Sequence, residues 1–224
     1  HLAFGIGAAC HFPMIIIPEM FDKVEVTFDR IVNLVISSII KRKIEGIRYG
    51  AAMISEGVFH FMSDAEIENS GINFSYDDHG HPELGNVSKA HIFNGLVQNK
   101  LKEIGLDVKS RPVELGYELR CVPPTAYDLM YCSMLGFGVK KLYDEGKTGC
   151  MVTADQVGKI APLYLDDVTN ESGKVQPRLV DINGDKSQLI FNQGLQFISS
   201  GDYEKARGLV KNPEEFDFRR ILGW

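Results

Sequence analysis

Apolar residues recur along the chain in two alternating patterns, short unbroken runs and helically spaced positions. "MIIIPE" (14–19) is a continuous apolar run closed by Pro18, the pattern of a strand buried on both faces. In "TFDRIVNLVISSIIKRKIEG", Phe28, Ile31, Val32, Val35, Ile36, Ile39 and Ile40 fall at helical spacing. Thr27 suits the N-cap of that helix, Lys41, Arg42 and Lys43 suit its last turn, and Gly46 suits its end. "GAAMISEG" (50–57) predicts a second buried strand ending at Glu56 and Gly57. A helix is predicted over 87–105, with Ile92, Phe93, Leu96, Val97 and Leu101 on one face and Gly105 at its end. A third strand region follows over 107–116. The next helix, over 125–146, opens on a Thr125/Asp128 capping box. It contains Gly136 and Gly138, which weaken a helix unless close packing requires them. "GCMVT" and "KIAPLYL" predict two more strands, 187–200 a further helix, and the tail from Asp202 is polar and partly helical.

Residues 68–86 interrupt this alternation. "INFSY" and the Asp77-Asp78-His79-Gly80-His81 turn predict a hairpin insertion near 70–86. The whole reads as α/β, a layered parallel or mixed sheet with helices on both faces. The opening "HLAFGIGAACHFPM" reads as a helix running into a strand, so the expectation is a chain that starts inside a domain.

The 224 residues are 44% hydrophobic and 24% charged, ordinary for a globular protein. A net charge of −6 argues against a nucleic-acid or anionic-membrane partner. The apolar run 31–40 is too short to span a bilayer and suits a core helix. Cys10, Cys121, Cys132 and Cys150 form no C-x-x-C pair and no zinc spacing, and read as reduced thiols of a cytoplasmic protein.

In sheets of this kind ligands bind beyond the carboxyl ends of strands, which picks out Glu56 and the Gly116–Arg120 turn. The turn also precedes a helix N-terminus, which attracts anions. Arg120 offers a planar fork suited to phosphate, or an ion pair with Glu118. Glu56 suits the hydroxyls of a sugar, or a turn cap. Arg111 is either a phosphate ligand or a solvated charge, and Tyr117 either donates its hydroxyl or packs. Glu19 repeats the strand-end carboxylate. The 77–81 cluster has no third ligand pair near it, so no metal site is expected. No Ser/His/Asp order, P-loop or G-x-G-x-x-G occurs.

"GYELR" followed by "CVPPTAYDLMY", with "HLAFGIG", "IIIPE", "ISEG" and "DDHGH" in this order, resembles the phosphofructokinase family over essentially the whole chain. The likeness is greatest to its pyrophosphate-dependent branch. It implies a glycolytic phosphotransferase in which the 1-hydroxyl of fructose 6-phosphate attacks the terminal phosphoryl of pyrophosphate, or of ATP in the other branch, with Mg2+ stabilising the transfer. Under it, residues 1–224 are the C-terminal, sugar-phosphate-binding portion of a cytoplasmic homo-oligomer, dimer or tetramer. The donor loop, the catalytic base and most of the Mg2+ contacts lie in an N-terminal portion before His1. Glu56 matches the sugar-binding glutamate. Tyr117, Glu118, Leu119 and Arg120 match the substrate-binding run, with Tyr117 and Arg120 at the 6-phosphate. Arg111 matches an arginine that reaches a neighbouring subunit's substrate. No catalytic residue falls within this chain. A non-catalytic regulatory subunit that keeps the sugar-phosphate pocket is the alternative.

Overall fold

The computed structural model describes residues 1–69, 88–155, 157–169 and 178–224, with the backbone alone for Asn69 and Arg120. The expected hairpin near 70–86 and the 77–81 cluster lie outside the described residues. The chain divides into two compact units, His1–Glu114 with Leu179–Trp224, and Leu115–Arg178. Both mix helices with a small sheet.

In the first unit, α1 (Leu2–Ala9) runs into β1 (Met14–Ile16), as the opening sequence predicts. The strand stops short of Pro18, which has no N–H for a ladder and instead begins a 3₁₀ turn, Pro18–Phe21. Thr27 accepts a hydrogen bond from the Arg30 amide and starts α2 (Phe28–Ile44), the crossover to β2 (Ala52–Ile54). The two strands pair in parallel, Met14 opposite Ala52 and Ile16 opposite Ile54. Gly46, at φ 77°, turns the chain out of α2 in a conformation other residues resist.

Packing divides α2 between two cores. Phe28, Ile31 and Leu34 join β1 and the aromatic group of Phe59 and Phe93. Val32, Ile36 and Ile40 instead face Val97, Leu101, Ile198 and Phe216. Leu34, absent from the predicted stripe, is fully buried, because a helix covered on two sides buries more than one stripe. Ser37 is buried too, and its hydroxyl accepts the Ile198 amide at 3.1 Å.

α3 (Asp64–Asn69) supplies Glu66, whose carboxylate accepts the Phe28 amide. α4 (Lys89–Glu103) is capped by Ser88. Residues 107–116 form no strand. A strand needs a ladder partner, and here the Gln98 side chain donates to the Val108 carbonyl and to Ser110 Oγ, while Pro112 has no N–H to offer.

The second unit holds the single turn α5 (Tyr117–Arg120), then α6 (Ala126–Asp144), β3 (Cys150–Ala154) and β4 (Ile160–Tyr164). The Thr125/Asp128 capping box is formed. β3 and β4 pair antiparallel, and α6 packs on them through Gly138.

The chain then re-enters the first unit. Over 187–200 the expected single helix is instead α7 (Asp185–Leu189), a π turn (Ile190–Gly194) and an extended stretch. There the Gln196 amide bonds the Pro13 carbonyl and the Ile198 amide bonds Ser37, so distant partners replace helical ones. α8 (Tyr203–Ala206) and α9 (Phe218–Leu222) complete the partly helical tail.

Candidate functional site

β2 ends one residue before Ser55, whose side chain accepts the Gly57 amide and starts the 3₁₀ turn Glu56–Phe61. Glu56 therefore stands just past a strand's carboxyl end. Its side chain is 72% exposed, and Oε1 lies 2.5 Å from Lys89 Nζ.

Lys89 is the first residue of α4, whose first turn also gathers the segment after Arg111. Glu114 Oε1 accepts from Ser88 Oγ at 2.8 Å and from the Ala90 amide at 3.1 Å. The Ser88 hydroxyl, and then the Ala90 N–H, hold the Glu114 carboxyl below the usual carboxylate range. Ser88 Oγ also lies 2.5 Å from His91 Nδ1. One helix start thus holds both Glu56 and Glu114. Arg111 is exposed, and no hydrogen bond or ion pair to it occurs among the described residues.

The run Tyr117–Arg120 belongs to the second unit. It forms one helical turn after Gly116. Glu118 turns back on that turn, accepting the Gly116 amide at 2.9 Å. Its own amide, then that of Gly116, hold its carboxyl low. Tyr117 and Leu119 are exposed. Backbone amides account for where Glu118 points.

Glu19, the other strand-end carboxylate, accepts the Val180 amide and so fixes the return of the chain. Two clefts open in the first unit, one of about 570 Å³ beside Asp29, Asn33 and Glu66, the other beside His11 and Gln193. Neither is lined by a candidate site residue read from the sequence. Among the described residues no three His, Cys, Asp or Glu side chains converge to hold a metal, and no helix is long and apolar enough to cross a membrane. All four cysteines are free thiols.

Lys89 was not singled out by the sequence, though one signal was available. A cation at the first position of a helix faces the positive end of its dipole, and α4 has no acidic residue in that turn. Such a lysine calls for a carboxylate from elsewhere, and Glu56 is that carboxylate.

The site is therefore that of a mixed α/β protein with a strand-end carboxylate held at a helix start. No protein-family model matches the chain. It is 32% identical over 218 residues to a pyrophosphate–fructose 6-phosphate 1-phosphotransferase of Naegleria fowleri, which covers 93% of this chain and 49% of that protein. The protein of the same name from Thermotoga maritima is 31% identical over 192 residues, covering 83% of this chain and 45% of that protein. A subunit beta 2 of that name from Arabidopsis thaliana is 23% identical over 230 residues, or 79% of this chain and 40% of the subunit. The chain belongs to the phosphofructokinase-like family of these phosphotransferases. It spans about half the length of the curated relatives it matches.

Proposed function

We propose that the chain is the C-terminal, sugar-phosphate-binding portion of a pyrophosphate-dependent phosphofructokinase. The enzyme transfers a phosphoryl group from pyrophosphate to fructose 6-phosphate. The 1-hydroxyl oxygen bonds to the terminal phosphorus, the bridging P–O bond breaks, and inorganic phosphate leaves. The hydroxyl proton goes to a base outside residues 1–224. Glu56 accepts hydrogen bonds from sugar hydroxyls. Arg120 and Tyr117 bind the 6-phosphate with the Glu118–Leu119 backbone between them, and Arg111 reaches the substrate of a neighbouring subunit in a cytoplasmic homo-oligomer. Mg2+, the metal the family resemblance implies, would offset the charge of the phosphates. The described residues contain no cluster fit to hold it, so no step here runs through it.

The observation that carries this reading is the match over 93% of the chain to a protein named for this reaction. It is supported by the placement of Glu56 at a strand's end, tied to the helix start that also holds Glu114. The test is to assay the full-length protein for fructose 1,6-bisphosphate formation with Mg2+, first with pyrophosphate and then with ATP. Turnover with pyrophosphate alone is expected. Turnover with ATP alone overturns the donor, and sugar-phosphate binding without turnover from either donor favours a regulatory subunit. Arg120→Ala should raise the KM for fructose 6-phosphate by at least roughly tenfold, since it removes a charged contact to the phosphate. An unchanged KM removes Arg120 from the site.

A further inference from the structure

The ion pair between Glu56 and Lys89 is unusual in which partner is anchored. The Lys89 side chain is 21% exposed and that of Glu56 72%. The lysine stem is packed, so its ammonium is the fixed member and the carboxylate follows it. The cation also sits against local preference, at the positive end of α4 with no acid in that turn. An exposed pair of this kind adds little to stability, so stability does not explain the arrangement.

We infer that Lys89 is a positioning residue for the sugar site: it orients the Glu56 carboxylate toward the sugar hydroxyls. The inference rests on the reading of Glu56 as the hydroxyl acceptor. A sugar hydroxyl donates to a carboxylate oxygen, and that bond is strongest where the carboxylate is already held in place. The glutamate side chain has three torsions beyond a backbone already set by the Ser55 cap, and the bond from Lys89 to Oε1 restricts them. The first turn of α4 thus serves two segments, with Lys89 on Glu56 and Ser88 and Ala90 on Glu114.

The experiment measures steady-state kinetics of the full-length enzyme for the wild type, Lys89→Met, Lys89→Arg, Glu56→Gln and the Lys89→Met/Glu56→Gln double variant. Lys89→Met should raise the KM for fructose 6-phosphate by roughly tenfold, the worth of one charge-assisted hydrogen bond. It should leave kcat and the KM for pyrophosphate within about twofold, because Glu56, whose orientation is lost, contacts the sugar rather than the transferring group. Lys89→Arg should recover most of the affinity, and in the Glu56→Gln background Lys89→Met should change nothing further. If Glu56→Gln raises the KM and Lys89→Met does not, the role of Lys89 is wrong and the sugar site stands. If the two effects multiply, Lys89 acts without Glu56 and the positioning role is wrong. If neither variant moves the KM, the reading of Glu56 itself fails, and this inference fails with it.

Discussion

The unit formed by residues 1–114 and 179–224 buries its apolar residues, whereas the unit formed by 115–178 displays them. Among the described residues, both hydrophobic clusters lie in the first, where β1 and two faces of α2 are fully covered. Among the described residues of the second unit, Leu142 is the one buried apolar side chain of appreciable size, while Tyr127, Met130, Phe137, Val139 and Tyr143 on the same helix are exposed. The two helices read alike in the sequence. Each has a threonine cap, many apolar residues and basic residues near its end. What separates them is the number of elements that cover them. α2 packs against β1, α4, α8 and α9, whereas α6 rests on a two-stranded hairpin. A lone hairpin is marginal in water, so local rules such as caps and close approach matter more in the second unit.

The largest expected contrast comes from the same substitution in both units. Phe28 is 6% exposed and touches the rings of Phe59 and Phe93, each with centroids 5.8 Å away. Phe28→Ala should cost about 3–5 kcal/mol. Phe137 is 76% exposed, and Phe137→Ala should stay within about 0.5 kcal/mol. Urea unfolding of the full-length protein measures both. Equal costs would mean that Phe137 is covered in solution and the contrast between the units is false.

The two glycines of α6 sharpen the point within a single helix. A Cβ added to Gly138 would meet Val152 at 2.5 Å and Ile160 at 3.1 Å, so Gly138→Ala must push α6 off its hairpin at a cost of about 1–3 kcal/mol. A Cβ at Gly136 meets nothing within 4 Å, and Gly136→Ala should stabilise by about 0.5–1 kcal/mol through helix propensity alone. Opposite shifts in the unfolding midpoint are the expected result. Shifts of the same sign would show that α6 does not sit on β3 and β4 as described.

What the sequence disclosed follows the range of the interactions. The Thr27 cap and the Thr125/Asp128 box were legible because both partners lie within one turn. β1 was legible because burial on both faces leaves an unbroken apolar run, whereas β2, also expected to be buried, has Ala52 exposed and Met53 and Ile54 half-buried. The strand expected at 107–116 did not form, since its apolar residues carry no record of the Gln98 side chain that takes its polar groups. The helix expected at 187–200 broke for the same reason, with Pro13 and Ser37 as the distant partners. In the candidate site, Glu56 and Arg111 were visible by residue type and position, whereas the Lys89 contact to Glu56 and the Glu114 contact to Ser88 join residues far apart in sequence.

Ion pairs give the smallest contrast and the one most dependent on pH. Lys41 donates to Asp202 at 2.8 Å with both side chains largely covered. The bond to Asp202 raises the Lys41 pKa despite its burial. Burial pushes Asp202 upward, but the bonds from Lys41 and Ser199 outweigh it and leave its pKa below the ordinary 3.8. A lowered carboxyl pKa adds stability that is complete above the unfolded value and lost as pH falls through the folded one. A raised lysine pKa adds stability that is complete below 10.5 and lost as pH rises through the folded value. The pair should therefore act at full strength between about pH 5 and 9. Across that window Asp202→Asn should cost about 1 kcal/mol, a cost that fades below the carboxylate range. Lys140 pairs with Asp144 on the exposed side of α6, and there Asp144→Asn should change the unfolding free energy negligibly at any pH, because water screens the pair. Thermal unfolding of both variants at pH 7 and pH 3 separates the two outcomes. If Asp144→Asn matched Asp202→Asn at pH 7, the α6 surface would have to be dry in solution, and the difference between the two units would lie in what covers them rather than in how each is built.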